Sequence, residues 1–123
     1  MREAIEAMNR RDIDVVLVGM YPEVRFEHRL AALQGRFVGV ESVRGWFADL
    51  AETFDTWRIS CEDIRDLGDR VLALGTIRAT GKESGVETEF PLSILARYQD
   101  GLLIDFVDYG DREKALEAAG LSE

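Results

Sequence analysis

Hydrophobic and polar positions alternate most strictly between Val24 and Leu30. The run Val-Arg-Phe-Glu-His-Arg-Leu puts Val24, Phe26, His28 and Leu30 on one side, the period-two pattern of a strand with one buried face. Upstream the period lengthens. Ala4, Ile5 and Met8 recur at helical spacing and predict a short helix from Arg2 to Asn9. Asp12 suits an N-cap, with Asp14 in the first turn and Val15, Val16, Leu17 and Met20 completing a second helix. Pro22 ends it, because proline disfavours helix at the residue before it. After the alternating strand come a loop and a short extended piece near Arg36 to Val38. A helix from Glu41 to Phe54 follows, with Val43, Trp46, Phe47, Leu50 and Phe54 as its apolar stripe.

From Thr56 onward the pattern is that of strands. Trp57 to Leu67, Arg70 to Thr80, Val86 to Tyr98 and Leu102 to Tyr109 are rich in β-branched and aromatic residues. Gly68-Asp69, the stretch from Gly81 to Gly85, and Asp100-Gly101 separate them as hairpin turns. Long strands joined by tight turns make an antiparallel meander. Leu72, Ala73 and Leu74 are apolar without alternation, so the central strands are expected to be covered on both faces. Helices serve one face, and a dimer partner is the simplest cover for the other. Asp111 then caps a short helix through Ala119, with Gly120 as the stop. No linker or repeat interrupts the chain, so residues 1–123 read as one α+β domain, a helical layer wrapped by a curved antiparallel sheet.

Charge narrows the partners. Acidic residues outnumber basic ones, 24 to 15, for a formal charge of -9, a surface that repels nucleic acid and anionic membranes. Cys61 is the only cysteine, which points to a reducing compartment and hence a cytoplasmic location. No apolar run is long enough to span a membrane, and the N-terminus lacks the apolar core of a signal peptide. A single histidine and a single cysteine leave no zinc set, and neither a calcium loop, a phosphate-binding glycine loop nor a dinucleotide fingerprint is present. No cofactor or metal is expected.

Several segments carry a family resemblance: Arg11-Asp12-Ile13-Asp14 leading to Tyr21-Pro22-Glu23-Val24, Asp66-Leu67-Gly68-Asp69-Arg70-Val71, Ser84-Gly85-Val86-Glu87, Asp100-Gly101-Leu102-Leu103-Ile104, and the closing stretch from Tyr109 to Leu121. With the order helix, helix, strand, helix and then four long strands, the chain resembles the SnoaL-like polyketide cyclase family of the nuclear transport factor 2-like, or ketosteroid isomerase-like, superfamily. The resemblance implies a cone-shaped roll with a short C-terminal helix, and a pocket for a hydrophobic small molecule between the concave face and the N-terminal helices. It also implies a homodimer through the sheet's outer face. It implies no single reaction, because relatives include cyclases, isomerases, epoxide hydrolases, dehydratases and non-enzymatic binding domains.

Two residues are the candidates for chemistry. His28 shares its strand face with Val24 and Phe26, and an imidazole with an ordinary pKa near ~6.5 suits proton transfer. Burial lowers that value and a neighbouring carboxylate raises it; the plainer alternative is a neutral core histidine. By the resemblance, His28 lies near the carboxylate base of the ketosteroid isomerases. Asp108 falls in period two with Ile104 and Phe106, so it faces the core as a possible general acid. Alternatively it is hydrated, or accepts backbone hydrogen bonds near the final turn. The opposite parity would send Asp105 and Tyr109 inward, which keeps Tyr109 as a hydroxyl donor. Asp108 also matches a catalytic aspartate of limonene epoxide hydrolases.

The rest of those catalytic sets is incomplete. Neither Ala4 nor Ile94 supplies the oxygen-holding groups of the isomerases, and Arg78 has only Glu87 or Glu89 across the hairpin to complete an epoxide hydrolase set. Tyr21, Phe26, Trp46, Arg78, Phe106 and Tyr109 are expected to line the pocket. Trp57, Phe90 and Tyr98 suit pocket or core equally. Arg97, Glu87 and Glu89 read as interface or solvent-exposed charges, and Cys61 as buried and inert. Three readings follow. The first is an acid/base enzyme for cyclisation, isomerisation or hydration, with His28 as base and Asp108 as acid or orienting partner. The others are a ligand-binding domain without turnover and a dimerisation module.

Overall fold

The computed structural model describes residues 1–28 and 35–121. The elements run α1 (Arg2–Asn9), α2 (Ile13–Val18), β1 (Met20–His28), β2 (Gly35–Val38), α3 (Val40–Thr53), β3 (Phe54–Asp66), β4 (Arg70–Gly81), β5 (Glu87–Gln99), β6 (Leu102–Asp108) and α4 (Arg112–Ala118). The six strands form one sheet in the order β2-β1-β6-β5-β4-β3. The expected meander occupies β3 to β6, each strand antiparallel to the next. β1 departs from it by lying parallel to β6, so the sheet is mixed. Tight turns fix the direction of the strands they join; β1 reaches β6 across the whole chain, where no such turn applies. Leu30, assigned to the first strand by alternation, lies outside the described residues.

The second helix ends earlier than its apolar spacing suggests. Gly19 N–H closes it on the Val16 carbonyl, and Met20 already belongs to β1. Pro22 therefore sits inside a strand. The register of β1 on β6 shifts between Met20 and Arg25, and a strand tolerates a residue without an N–H where the ladder is interrupted.

The sheet has two differently covered faces. On the inner one, Phe26, Trp57, Ile77, Leu92, Ile94 and Phe106 pack against Val43, Trp46, Phe47 and Leu50 of α3 in the main core. On the outer one, Leu72 and Leu74 are buried beneath Ala115, Leu116 and Ala119 at the C-terminal helix. The apolar run in β4 is thus covered on both faces as its pattern requires, but the chain's own α4 does it where a dimer partner was expected. Asp111 starts α4 by accepting from the Glu113 N–H at 2.8 Å. Arg70 holds the other end, donating to the Ala118 and Ala119 carbonyls at 3.4 and 3.3 Å.

Two of the sheet's further register shifts lie in β3 and β6. β3 carries an extra residue between Cys61 and Asp63, opposite Gly75 and Leu74. At position 75 a Cβ would collide with the Ser60 carbonyl and lie 2.6 Å from Cys61 Cα, so only glycine lets the strands close at this bulge. In β6, Ile104 is the extra residue between Leu103, paired with Tyr98, and Asp105, paired with Arg97. No helix among the described residues is long and apolar enough to cross a membrane.

Candidate functional site

The parallel pairing of β1 with β6 sets the site. Phe26 lies opposite Phe106 and Glu27 opposite Val107, which carries His28 alongside Asp108 at the end of both strands. Both side chains are buried, with 6 % and 1 % of their surface exposed. Their nearest atoms, His28 Nδ1 and Asp108 Oδ2, are 3.5 Å apart. That is too long for a good hydrogen bond, and among the described residues Nδ1 has no hydrogen-bond partner. The other carboxylate oxygen is committed: Oδ1 accepts from the Ser93 and Gly110 N–H groups, each at 3.0 Å. One oxygen of Asp108 thus terminates the β5–β6 ladder while the second faces the imidazole.

α3 completes the surroundings of His28. The Trp46 ring stacks on the imidazole at 4.5 Å between centroids, with Phe26 at 5.7 Å and Phe106 at 6.2 Å. This aromatic cage removes water, and burial pushes the His28 pKa down to about 4. The ring is therefore neutral at pH 7, and the contact with Asp108 is not a salt bridge in that state.

His28 lines an enclosed cavity of about 20 Å³, room for roughly one water. Outward lies a second, open pocket of about 300 Å³ between α1, α2 and the ends of β1, β5 and β6. Met1, Met8, Phe26, Phe47 and Phe106 line both spaces and so form the partition between them. Among the described residues that line the outer pocket Glu3 is the one charged side chain, and Tyr98 brings a phenol whose pKa burial raises. Among the described residues no three His, Cys, Asp or Glu side chains are placed to hold a metal.

The structure brings together His28, Asp108, Phe26, Phe106 and Trp46, and disperses the other expected pocket residues. Tyr21 is exposed and faces a groove with Glu23 and Arg25, because its neighbour Met20 takes the inward position. Arg78 stands exposed on the outer face, where it meets Glu89 at 2.9 Å and Glu87 at 3.5 Å; Ile77 takes the core position beside it. Tyr109 lies just past β6 and packs with α4. Asp105 also points away and pairs with Arg25 at 2.9 Å. Phe106 and Asp108 share the inner face, but the bulge at Ile104 gives the next inward place to Leu103. Trp57 is core, with the Arg11 guanidinium 3.7 Å from its ring centroid, and Phe90 packs on Phe54. Cys61 is half-buried, and burial with Glu62 pushes its thiol up to about 11, away from nucleophilic use.

Sequence reasoning passed over Met8, Phe47 and Leu103 as pocket walls, since their spacing marks them only as apolar. It also missed Ser93, which acts through its backbone N–H and leaves no side-chain signal.

The model of the SnoaL-like domain family matches residues 1–106. Among solved structures, the chain is similar to a nuclear transport factor 2-like protein of unknown function from Burkholderia pseudomallei, with 26% identity and a TM-score of 0.81 over 94% of this chain and 91% of that one. It is similar to TerC, crystallised with polyporic acid, at 22% identity and a TM-score of 0.78, covering 95% and 92% of the two chains. A hypothetical protein of ketosteroid isomerase-like fold from Catenulispora acidiphila, in complex with trimethylamine, gives 16% and 0.77 over 96% and 89%. At these identities the last two speak for the fold alone. No curated protein matches the chain.

Proposed function

The chain belongs to the SnoaL-like domain family, and from that membership we propose that it takes up a small hydrophobic molecule and moves a proton on it with His28 as general base and Asp108 as its partner. The observation that carries this reading is the placement of His28 and Asp108 on adjacent strands, 3.5 Å apart, with His28 lining a small apolar cavity that shares a wall with the outer pocket.

The chemistry follows from the imidazole and the carboxylate. With Nδ1 turned to Asp108, Nε2 is the nitrogen left for a ligand. A neutral imidazole accepts a proton there from an acidic C–H or O–H. The charge this creates sits within reach of Asp108 Oδ2, and closing the 3.5 Å gap to hydrogen-bond length stabilises the imidazolium. Asp108 cannot swing away, because Oδ1 is held by the two N–H groups. An unaided imidazole with a pKa of about 4 is a weak base, so turnover depends on this carboxylate. Return of the proton to a different atom of the ligand gives isomerisation or ring closure without a cofactor.

A ligand-holding role without turnover is the second reading. Among the described residues that line the inner cavity, all but His28 and Trp46 present hydrocarbon or thioether side chains. No set of donors for a developing oxyanion is among them. The ligand complexes of TerC and the Catenulispora protein support small-molecule occupancy of this fold and are neutral between the two readings.

A thermal-shift screen against hydrophobic metabolites separates them, followed by NMR of each bound hit in deuterated buffer. Accelerated deuterium uptake at the ligand, lost in His28→Ala, supports catalysis. Binding with uptake at the buffer rate leaves the holding role.

The same reading includes one working domain over residues 1–123, a cytoplasmic location and a homodimer. Support for the dimer is the exposed part of the outer face, where Arg58, Arg78, Glu87 and Glu89 form a mixed-charge surface beyond the reach of α4. Light scattering on the purified chain, read as one or two chain masses, tests it.

A further inference from the structure

We propose that the Tyr98 hydroxyl is an oxygen-recognition point of the outer pocket, and that the ligand is an uncharged, flat molecule with an apolar body and an oxygen at its outer end. The inference rests on the pocket reading above and names the ligand class for it.

Three observations converge. Tyr98 lines the outer pocket, and no hydrogen bond from another described residue occupies its hydroxyl. Its backbone is fixed, with the N–H donating to the Asp69 carbonyl at 2.8 Å and Leu103 opposite on β6 beside the Ile104 bulge. A phenol with a pKa raised by burial stays protonated at neutral pH, so it acts as a donor to a ligand oxygen.

The walls decide the rest. Phe26, Phe47 and Phe106 stand between the Tyr98 pocket and the His28 cavity and line both, giving the outer pocket a wall of rings that suits a planar body. Among the described residues neither space is lined by a Lys or Arg side chain, and Glu3 stands in the outer one. A carboxylate or phosphate on the ligand would be desolvated there without a side-chain counter-charge. At about 300 Å³ the pocket is at the small end of ligand sites, room for a compact bicyclic molecule.

Equilibrium dialysis of the purified protein and of Tyr98→Phe against 2-naphthol, 2-methylnaphthalene and 2-naphthoate tests this. The wild-type protein is expected to hold 2-naphthol roughly five- to tenfold more tightly than 2-methylnaphthalene, the worth of one hydrogen bond. Tyr98→Phe should erase that preference while leaving 2-methylnaphthalene binding unchanged, and 2-naphthoate should bind weakest to both. A preference that survives in Tyr98→Phe, or 2-naphthoate binding as tightly as 2-naphthol, overturns the assignment. Equal binding of the two neutral compounds by the wild type removes the oxygen point and leaves the pocket intact. If none of the three binds, the pocket reading itself fails.

Discussion

Asn9, the last residue of α1, clasps the backbone of Ile59 in β3 with both ends of its carboxamide. Nδ2 donates to the Ile59 carbonyl at 2.9 Å, and the Ile59 N–H donates to Oδ1 at 2.7 Å. The side chain imitates the next strand of the sheet and ties the first helix to an edge strand. Arg11 adds a bond from its guanidinium to the Trp57 carbonyl at 2.6 Å, two residues along the same strand. Met8, which helps to partition the pocket, is therefore held by its neighbour's clasp rather than by packing alone.

Asn9→Ala should cost about 1–3 kcal/mol, because two part-buried backbone groups lose their partners. Urea titration reads that loss. Hydrogen exchange should accelerate first in α1, and unchanged protection of α1 would show that packing holds the helix by itself.

Asp108→Asn and Asp108→Ala separate the two uses of this side chain. Asparagine keeps an acceptor for the Ser93 and Gly110 N–H groups, so stability should fall little, while the charge facing His28 is gone and ligand turnover should drop. Alanine orphans both N–H groups as well and should cost about 2 kcal/mol or more. Equal destabilisation by the two substitutions would mean that the charge, and not the backbone bonds, holds this strand end.

How far the sequence discloses this site depends on which force places each residue. Alternation through Val24, Phe26 and His28 and through Phe106 and Asp108 marks the inner face, because a half-buried strand repeats every two residues. Proximity of His28 to Asp108 arises from a parallel pairing between strands 80 residues apart in sequence (25 with 105 in the salt bridge that flanks them), which no local pattern encodes. Arg78 and Tyr109 were misplaced for a related reason. A side chain's strand says it can reach a face, while its parity relative to Ile77 or Asp108 says which face it reaches. The Ile104 bulge shifts that parity with no residue type to announce it.

Gly75→Ala should be among the most damaging single-atom changes in the chain. The added carbon meets the backbone of Ser60 and Cys61, which cannot swing aside like a flexible side chain. Relief requires β3 to separate from β4 at its bulge, so the cost should be about 3 kcal/mol or more, in the range of severe core overpacking. Gly45→Ala, in α3 with open space around its Cβ, is the control and should be neutral or stabilising by roughly 0.5–1 kcal/mol. The comparison is made by chemical denaturation of both variants beside the wild type.

His28 gives the protein a specific acid sensitivity. Its folded-state pKa is about 4 against an ordinary value of 6.5, because burial among Trp46, Phe26 and Phe106 disfavours the charged ring. Between those values the unfolded chain takes up a proton that the folded chain refuses, so acid favours unfolding. The stability contribution is full above pH 6.5, falls as the pH drops, and is lost by the time the folded ring titrates near pH 4. The whole change is about 3 kcal/mol. In His28→Phe, which keeps the stack on Trp46, this component is absent. Carboxylates titrate in both proteins, so the quantity to measure is the difference between the two urea-denaturation free energies at pH 4.5, 5.5, 6.5 and 7.5 (set in roughly one-unit steps). Wild type should lose stability relative to the variant as the pH falls. A difference that stays flat would mean that folding leaves the pKa of the ring unshifted, whereas wild type gaining stability relative to the variant as the pH falls would mean that His28 is protonated in the folded protein, with Asp108 as its counter-ion, and the neutral-base mechanism would then be wrong.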